Sequence, residues 1–394
     1  MPKFDITTSI GVLGAGTMGQ GIAQVAATAG HAVVLYDSSR TALENARSGL
    51  SAILQRQVDK KRMSQSSADG ILGRINFAHD PYKFATCGLI IEAIVEDLAV
   101  KRNVYSQVES IVPPDCILAS NTSSLPIAAI GASCDKPERM LGAHFFNPAP
   151  LMPLVEIIPG VASAADVVQA TCRLIDRWGK TTVLAKDTPG FIVNRVARPF
   201  YGEALRLLEE GMADVATIDW AMKEIGGFRM GPFELMDFIG NDINYAVTET
   251  VFAAFFYDPR YRPSFTQKRL VEAGYLGRKT GRGHYDYRPG AENPAPRQDR
   301  PLGEQIFKRI LAMLINEAAD AVFWQIGSPE DIDQAMIKGV NYPKGLLQWA
   351  DEIGLKTVLG QLEGLQKEYG EDRYRPSPLL RRKVRKGETF LSHG

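Results

Sequence analysis

The chain has little that marks a special environment. Its 394 residues carry only four cysteines, Cys87, Cys116, Cys134 and Cys172. No two lie at CxxC spacing, which argues against a zinc ribbon or a thioredoxin-type centre. Cysteines this sparse fit a reducing compartment better than a disulfide scaffold. No apolar run reaches the ~18 residues of a membrane span. Net charge is also missing: Lys+Arg and Asp+Glu are both 45. That balance lacks the basic footprint of a nucleic-acid binder and the acidic excess of a disordered chain. The N-terminus shows no basic-then-apolar leader, so the expected location is the cytoplasm. Histidine is scarce too, at five residues.

What is present is organised in blocks. Ser9–Leu13 reads as a short apolar strand, followed by Gly14-Ala-Gly-Thr-Met-Gly19 and a helix over Gln20–Ala29. A β-branched strand at Ala32–Tyr36 comes next, then a strand at Leu89–Val95, a helix over Leu98–Ile111 and a strand at Ile117–Ser120. Strands alternating with helices imply a mostly parallel sheet covered on both faces. Residues 1–186 are therefore expected to form a doubly wound α/β, Rossmann-type domain.

Beyond Lys186 strand signals nearly vanish. Phe191–Glu210, Val215–Ile225, Phe233–Ile239 and Ile243–Phe256 read as helices, punctuated by glycines. This all-α domain spans 187–287, and the proline-rich stretch 288–301 reads as a linker. A second helical domain, 302–394, repeats the first. Glu203, Asp219, Asp237 and Gly240 recur 114 residues later as Glu317, Asp333, Asp351 and Gly354. Arg260-Tyr-Arg-Pro-Ser264 recurs verbatim as Arg373-Tyr-Arg-Pro-Ser377. The tail of the first copy, Gly277–Tyr287, shows no counterpart in the second.

Gly14-x-Gly16-x-x-Gly19 between a strand and a helix is a dinucleotide fingerprint. Gly14 permits the tight turn, Gly16 lets backbone approach a pyrophosphate, and Gly19 lets helix and strand pack closely. Ala15, Thr17 and Met18 lie between them at the helix N-terminus, where free N–H groups and the dipole favour phosphate. Asp37 ends the next strand and suits a ribose hydroxyl, which favours NAD over NADP; Arg40 weakens that preference slightly. The bland alternative is a tight turn with Asp37 as a helix cap.

Most histidines invite structural readings: His31 at a loop-to-strand junction, His79 beside a turn, His284 and His393 in tails. His144 differs, because it ends an apolar strand, where open α/β sheets place ligands. Glu156 follows within the apolar run Leu154–Ile158. A buried carboxylate needs a partner. Pairing with His144 would fix the imidazole tautomer and make a general base. The alternative is a structural glutamate paired with a Lys or Arg. Asn121-Thr-Ser-Ser124 ends another strand and could simply cap a helix. Asn194 is a polar residue at an apolar helix start.

Together these motifs resemble the 3-hydroxyacyl-CoA dehydrogenase family. The resemblance runs through Gly14–Gly19, Ile91–Glu96 with Lys101, Ser120–Ser124 and His144–Pro148. It continues through Asp187–Arg195, Met230–Leu235 and Gly277–Gly281. It implies that His144 is the catalytic base, Glu156 its partner, and Ser123 and Asn194 the residues holding the reacting oxygens. It also implies that Asp37, Glu96, Lys101, Ser123, Asn147 and Lys279 line the NAD site. Lys60 matches a position near CoA, while Ile53 replaces a polar CoA contact. The expected reaction is reversible oxidation of a (3S)-3-hydroxyacyl-CoA with NAD. The duplication resembles long bacterial members acting on 3-hydroxyadipyl-CoA in phenylacetate catabolism or on 3-hydroxybutyryl-CoA.

A dicarboxylate substrate would need a cation near the acyl end, for which Arg198, Arg229 and Arg260 are candidates. No metal, nucleic acid or membrane partner is expected, and the chain is a monomer or a homodimer. The competing readings are an NAD-dependent dehydrogenase of a free hydroxy acid or sugar acid, and a nucleotide-binding protein without catalysis.

Overall fold

The computed structural model describes residues 4–391, so His393 lies outside the described residues. The chain divides into two compact units, Met1–Phe191 and Ile192–Gly394.

The first unit is built on eight strands. They are β1 (Ser9–Leu13), β2 (Val33–Tyr36), β3 (Ile75–Ala78), β4 (Cys87–Glu92), β5 (Ile117–Ser120), β6 (Met140–Phe145), β7 (Leu154–Pro159) and β8 (Thr181–Leu184). Their order is β3-β2-β1-β4-β5-β6-β7-β8. Pairing is parallel except between β6 and β7. Strands buried on both faces need continuous apolar runs; β1, β4 and β5 supply them, with Ile10, Val12, Leu89–Ile91 and Ile117–Ala119 fully enclosed. Helices α1 (Thr17–Thr28), α2 (Arg40–Asp59), α3 (Gln65–Gly73), α4 (Leu98–Glu109), α5 (Ile127–Gly131) and α6 (Ala165–Arg177) complete this doubly wound α/β domain. Strand order reverses between β1 and β4, the point where such sheets open a ligand crevice.

The second unit is helical. Its first half holds α7 (Val193–Val196), α8 (Arg198–Glu209), α9 (Val215–Trp220), α10 (Pro232–Ile239), α11 (Asn241–Ala254) and α12 (Phe265–Glu272). Its second half holds α13 (Arg300–Phe323), α14 (Pro329–Val340), α15 (Leu346–Ile353), α16 (Leu355–Tyr369) and α17 (Pro378–Lys386). The single helix expected over Phe191–Glu210 is broken at Ala197, where α7 ends and α8 begins, with Pro199 in the first turn of α8. Proline has no N–H for the ladder and is tolerated only at such a start.

The repeat is visible in the hydrogen bonds. Asp219 accepts from Phe233 N and Glu234 N at 2.9 Å, and Asp333 accepts from Leu347 N at 2.8 Å and Gln348 N at 2.9 Å. Each carboxylate thus holds the start of the corresponding helix, α10 or α15. Burial pushes both acids up, Asp219 to about 7 and Asp333 to about 6.

One expectation needs correction. The tail after the first copy does have a counterpart: Asp237 accepts from His284 N and Tyr285 N, and Asp351 accepts from Phe390 N and Leu391 N. What recurs is a backbone contact, with few side chains in common and a shorter approach, so spacing alone conceals it.

The two copies exchange buried charges. Glu317 of the second copy accepts from Arg195 Nε (2.6 Å), Arg260 Nη1 (3.2 Å) and the Tyr261 hydroxyl. Glu203 of the first copy accepts from Arg309 Nε (2.6 Å), Arg373 Nε (3.1 Å) and the Tyr374 hydroxyl (2.8 Å). Each copy's glutamate is held by the other's arginines and tyrosine, as across a two-fold axis.

Candidate active site

The crevice of the first unit opens beside Gly14, whose φ is +105°; a side chain there would sit 2.5 Å from the Ala93 carbonyl. A Cβ on Gly19 would lie 1.7 Å from Gly14 O, so close packing of α1 on the turn needs glycine. A Cβ on Gly16 would meet nothing within 4 Å. That open space adjoins the start of α1, which no side chain caps. Ala15, Thr17 and Met18 belong to the same turn. Asp37, at the end of β2, accepts from Ala15 N and Ser39 N, both at 2.8 Å. A fixed carboxylate beside an open, uncapped helix start fits the ribose and pyrophosphate of NAD, and it repels a 2′-phosphate.

Next to this cradle lies a polar hub centred on Glu92, which the sequence reading assigned no role; it joins Glu92 to Lys101, Glu96 and the Ser123 loop, which that reading named. Glu92, at the end of β4, accepts from Lys101 Nζ (2.5 Å), Ser120 Oγ (2.7 Å) and Ile94 N (2.8 Å). Lys101 is 1% exposed and also reaches Glu96 at 3.3 Å. Glu96 Oε1 in turn accepts from Thr122 Oγ1 (2.6 Å), Ser123 N (2.9 Å) and Ser124 Oγ (2.9 Å). Burial raises the Glu96 carboxyl, but the Thr122 bond and the Lys101 charge outweigh it and hold it below the usual range. Lys101 and Glu96 therefore shape the Asn121–Ser124 loop from beneath. That loop leaves the half-buried Ser123 hydroxyl without a partner among the described residues. Glu92 was findable, since it ends an apolar strand just as Glu156 sits in one.

His144 and Glu156 lie directly opposite each other on β6 and β7, and His144 Nδ1 is 2.7 Å from Glu156 Oε2. The twelve-residue spacing is the hairpin that makes them cross-strand neighbours. Glu156 is 0% exposed and His144 6%. Phe146 and Phe191 pack on the imidazole, at 4.5 and 5.9 Å between centroids. The carboxylate selects the tautomer with its proton on Nδ1, leaving a lone pair on Nε2. Asn121 Oδ1 accepts from Phe145 N at 2.8 Å and ties the loop to the histidine strand. Asn147 is exposed, in a cis bond to Pro148.

The other residues singled out by sequence fall elsewhere. Lys60 is exposed just beyond α2, the helix that carries the partly exposed Ile53. In the second unit Asn194 is half-buried on α7, and Lys279 pairs with Asp242 at 2.6 Å. The structural readings of the other histidines agree with their contacts: His31 bonds Thr8 O and packs on Trp178, and His79 bonds Asp37 O. Burial lowers His284 to about 4. All four cysteines are free, and no cluster of metal-ligating side chains occurs among the described residues. No helix among them is long and apolar enough to cross a membrane.

A dinucleotide cradle on the same sheet as a buried His–carboxylate pair defines a nicotinamide-dependent dehydrogenase. The family model for the 3-hydroxyacyl-CoA dehydrogenase NAD binding domain matches residues 9–188, and that for the family's C-terminal domain matches 190–287 and again 306–392. The chain belongs to the 3-hydroxyacyl-CoA dehydrogenase family, and it is an NAD-dependent oxidoreductase. It is 39% identical to a 3-hydroxyadipyl-CoA dehydrogenase of Escherichia coli, over 95% of this chain and 97% of that one. It is 42% identical to a 3-hydroxybutyryl-CoA dehydrogenase of Bradyrhizobium diazoefficiens, over 74% of this chain and 98% of the relative. A crystal structure of 3-hydroxybutyryl-CoA dehydrogenase from Escherichia coli superposes with a TM-score of 0.92 at 38% identity, covering 97% of this chain and 98% of that one.

Proposed function

We propose that this chain catalyses the reversible oxidation of (3S)-3-hydroxyacyl-CoA thioesters to 3-oxoacyl-CoA, with His144 as general base. The observation that carries this is the 2.7 Å bond between His144 and the enclosed Glu156 carboxylate. Glu156 fixes the imidazole and stabilises the imidazolium, so that Nε2 can take the proton of the C3 hydroxyl. Ser123 and Asn194 orient the substrate's oxygens. NAD, held by the Gly14–Gly19 turn and Asp37, supplies the hydride acceptor. Glu96 and Lys101 act through the loop they hold, and Asn147 and Lys279 complete the cofactor's surroundings. Lys60 is assigned to the CoA moiety.

The reciprocal Glu203 and Glu317 networks support a further reading: the second copy occupies the surface on which a partner subunit would dock, and the chain works as a monomer.

The test of the reaction is NADH oxidation with acetoacetyl-CoA, run beside NADPH and beside His144→Ala. NADH-specific turnover that collapses in the variant is expected. Full activity in the variant would remove His144 from the mechanism.

A further inference from the structure

Glu92 has no part in the reaction proposed above, yet it is wholly buried and richly bonded. Its Oε1 accepts from Lys101 Nζ and Ile94 N, and its Oε2 accepts from Ser120 Oγ. The Tyr105 hydroxyl stands 3.5 Å from Oε2. The residues before it on β4, Leu89–Ile91, are all apolar. A buried ion pair adds little net stability, because desolvation of both partners offsets their attraction. Packing alone would be served as well by one more apolar residue.

The charges of the hub do not balance. Lys101 is shared between Glu92, at 2.5 Å, and Glu96, at 3.3 Å, and no other cation bonds either carboxylate among the described residues. The remaining partners of Glu96 are neutral: Thr122 Oγ1, Ser123 N, Ser124 N and Ser124 Oγ. Glu96 and Lys101 alone would cancel, so Glu92 supplies an excess of one negative charge. Charge held away from water is costly without a counter-ion. The hub has one open side, because the Glu96 side chain is 37% exposed, against 1% for Lys101 and 0% for Glu92.

Strand order indicates what that side meets. Asp37 follows β2, the Gly14–Gly19 turn follows β1, Glu92 ends β4, Ser120 ends β5, and His144 lies near the end of β6. These strands are neighbours in the order β2-β1-β4-β5-β6. A dinucleotide with one ribose at Asp37 and its pyrophosphate on the glycine turn reaches His144 only by crossing the ends of β4 and β5. The turn and β4 are in close contact there: a Cβ on Gly14 would lie 2.5 Å from Ala93 O and 3.1 Å from Ile94 Cγ2.

We propose that Glu92, through Lys101, keeps one net negative charge at the nicotinamide end of the crevice and so makes the site favour the cationic ring of NAD over the neutral ring of NADH. This rests on the reading above, in which hydride transfer takes place beside His144. The ring carries a positive charge before it accepts the hydride from C3 and none afterwards, while the hydroxyl proton goes to His144. A fixed charge in a cleft with low-dielectric walls acts on that difference. Glu92 touches neither cofactor nor substrate, which makes it a positioning residue.

The experiment measures Kd for NAD by calorimetry and for NADH by fluorescence, on the full chain without acyl substrate, and takes their ratio. A unit charge about 10 Å away, at an effective permittivity of about 20, changes an ion's affinity about 10-fold. Glu92→Gln keeps the shape and removes the charge, and should raise Kd(NAD)/Kd(NADH) about 10-fold. Adding Lys101→Met to it restores one net negative charge, through Glu96, and should bring the ratio back to within about threefold of the parent. A merely structural Glu92 would weaken both cofactors alike, and the second substitution would not repair it. Glu96→Gln makes the same change of charge at a partly exposed position and should shift the ratio the same way, which keeps the test decisive if Glu92→Gln fails to fold. Asp37→Asn, at the far end of the crevice, should leave the ratio within about twofold of the parent. An unchanged ratio in the two glutamine variants, or a double variant as far from the parent as Glu92→Gln alone, would overturn the proposal. Failure of the His144 assignment would appear instead in the acetoacetyl-CoA assay, since the Kd ratio is read without turnover.

Discussion

Replacing Glu317 by glutamine would test whether the two helical copies are held by their exchanged charges. Glu317 is wholly buried and bonds Arg195, Arg260 and Tyr261. Burial opposes its charge, but the Arg195 and Arg260 guanidiniums outweigh that and hold the carboxyl below the usual glutamate range. In Glu317→Gln, Arg260 keeps Asp320, whereas Arg195 keeps no bonded carboxylate. Removing one partner of a buried pair typically costs about 3–5 kcal/mol; with Asp320 still in place, we expect about 3 kcal/mol. The mirror change, Glu203→Gln, leaves Arg309 with Glu210 but Arg373 without a carboxylate, and should cost a similar amount.

Glu203 is likewise lowered, burial again being outweighed by Arg373 and Arg309. A lowered carboxylate stabilises the fold above its unfolded value near 4.5 and loses that contribution as pH falls through the folded value. Each variant should therefore show less acid sensitivity than the parent. Three of the four tryptophans, Trp220, Trp324 and Trp349, lie in the helical unit, so tryptophan fluorescence during urea titration at neutral and acid pH, read in a Trp178→Phe background, reports that unit. A loss below about 1 kcal/mol at neutral pH, or unchanged acid sensitivity, would show that the network does not hold the copies together.

His144→Ala should lower kcat by about 10²–10⁴-fold while NADH binding, followed by fluorescence, stays intact. Glu156→Gln should lower kcat and shift the pH–rate profile; an unshifted profile would separate Glu156 from the proton transfer. Asp37→Ala should narrow the preference for NADH over NADPH, read as a ratio of kcat/KM values, because it removes the charge facing a 2′-phosphate. Light scattering should find a particle of one chain, 43.2 kDa, and a stable dimer would refute the intrachain pairing as a substitute for a partner.

How much was legible depended on the kind of signal. The cradle was readable because its glycines obey steric rules that hold within a few residues. The His144–Glu156 pair was readable because a carboxylate inside an apolar strand demands a partner. The same rule points to Glu92, but its partners Lys101 and Ser120 are set by a helix and a strand whose docking has no local signature. The repeat was plain in the shared pentapeptide, yet the matching tails were not, because backbone N–H groups make that contact. Arg198 could not be told from Arg260 in the sequence. What separates them is Glu317 and Asp320, which meet Arg260 only after the second copy folds back on the first.

Fusing two copies has a consequence for how such a protein can diverge. In a symmetric pair of separate subunits, one codon change appears on both faces at once, so a group useful on one side burdens the other. Here Phe228 and Tyr342 meet as counterparts encoded separately. A single mutation can add a hydroxyl to one face and spare its twin, which leaves one half free to keep the scaffold while the other acquires new chemistry.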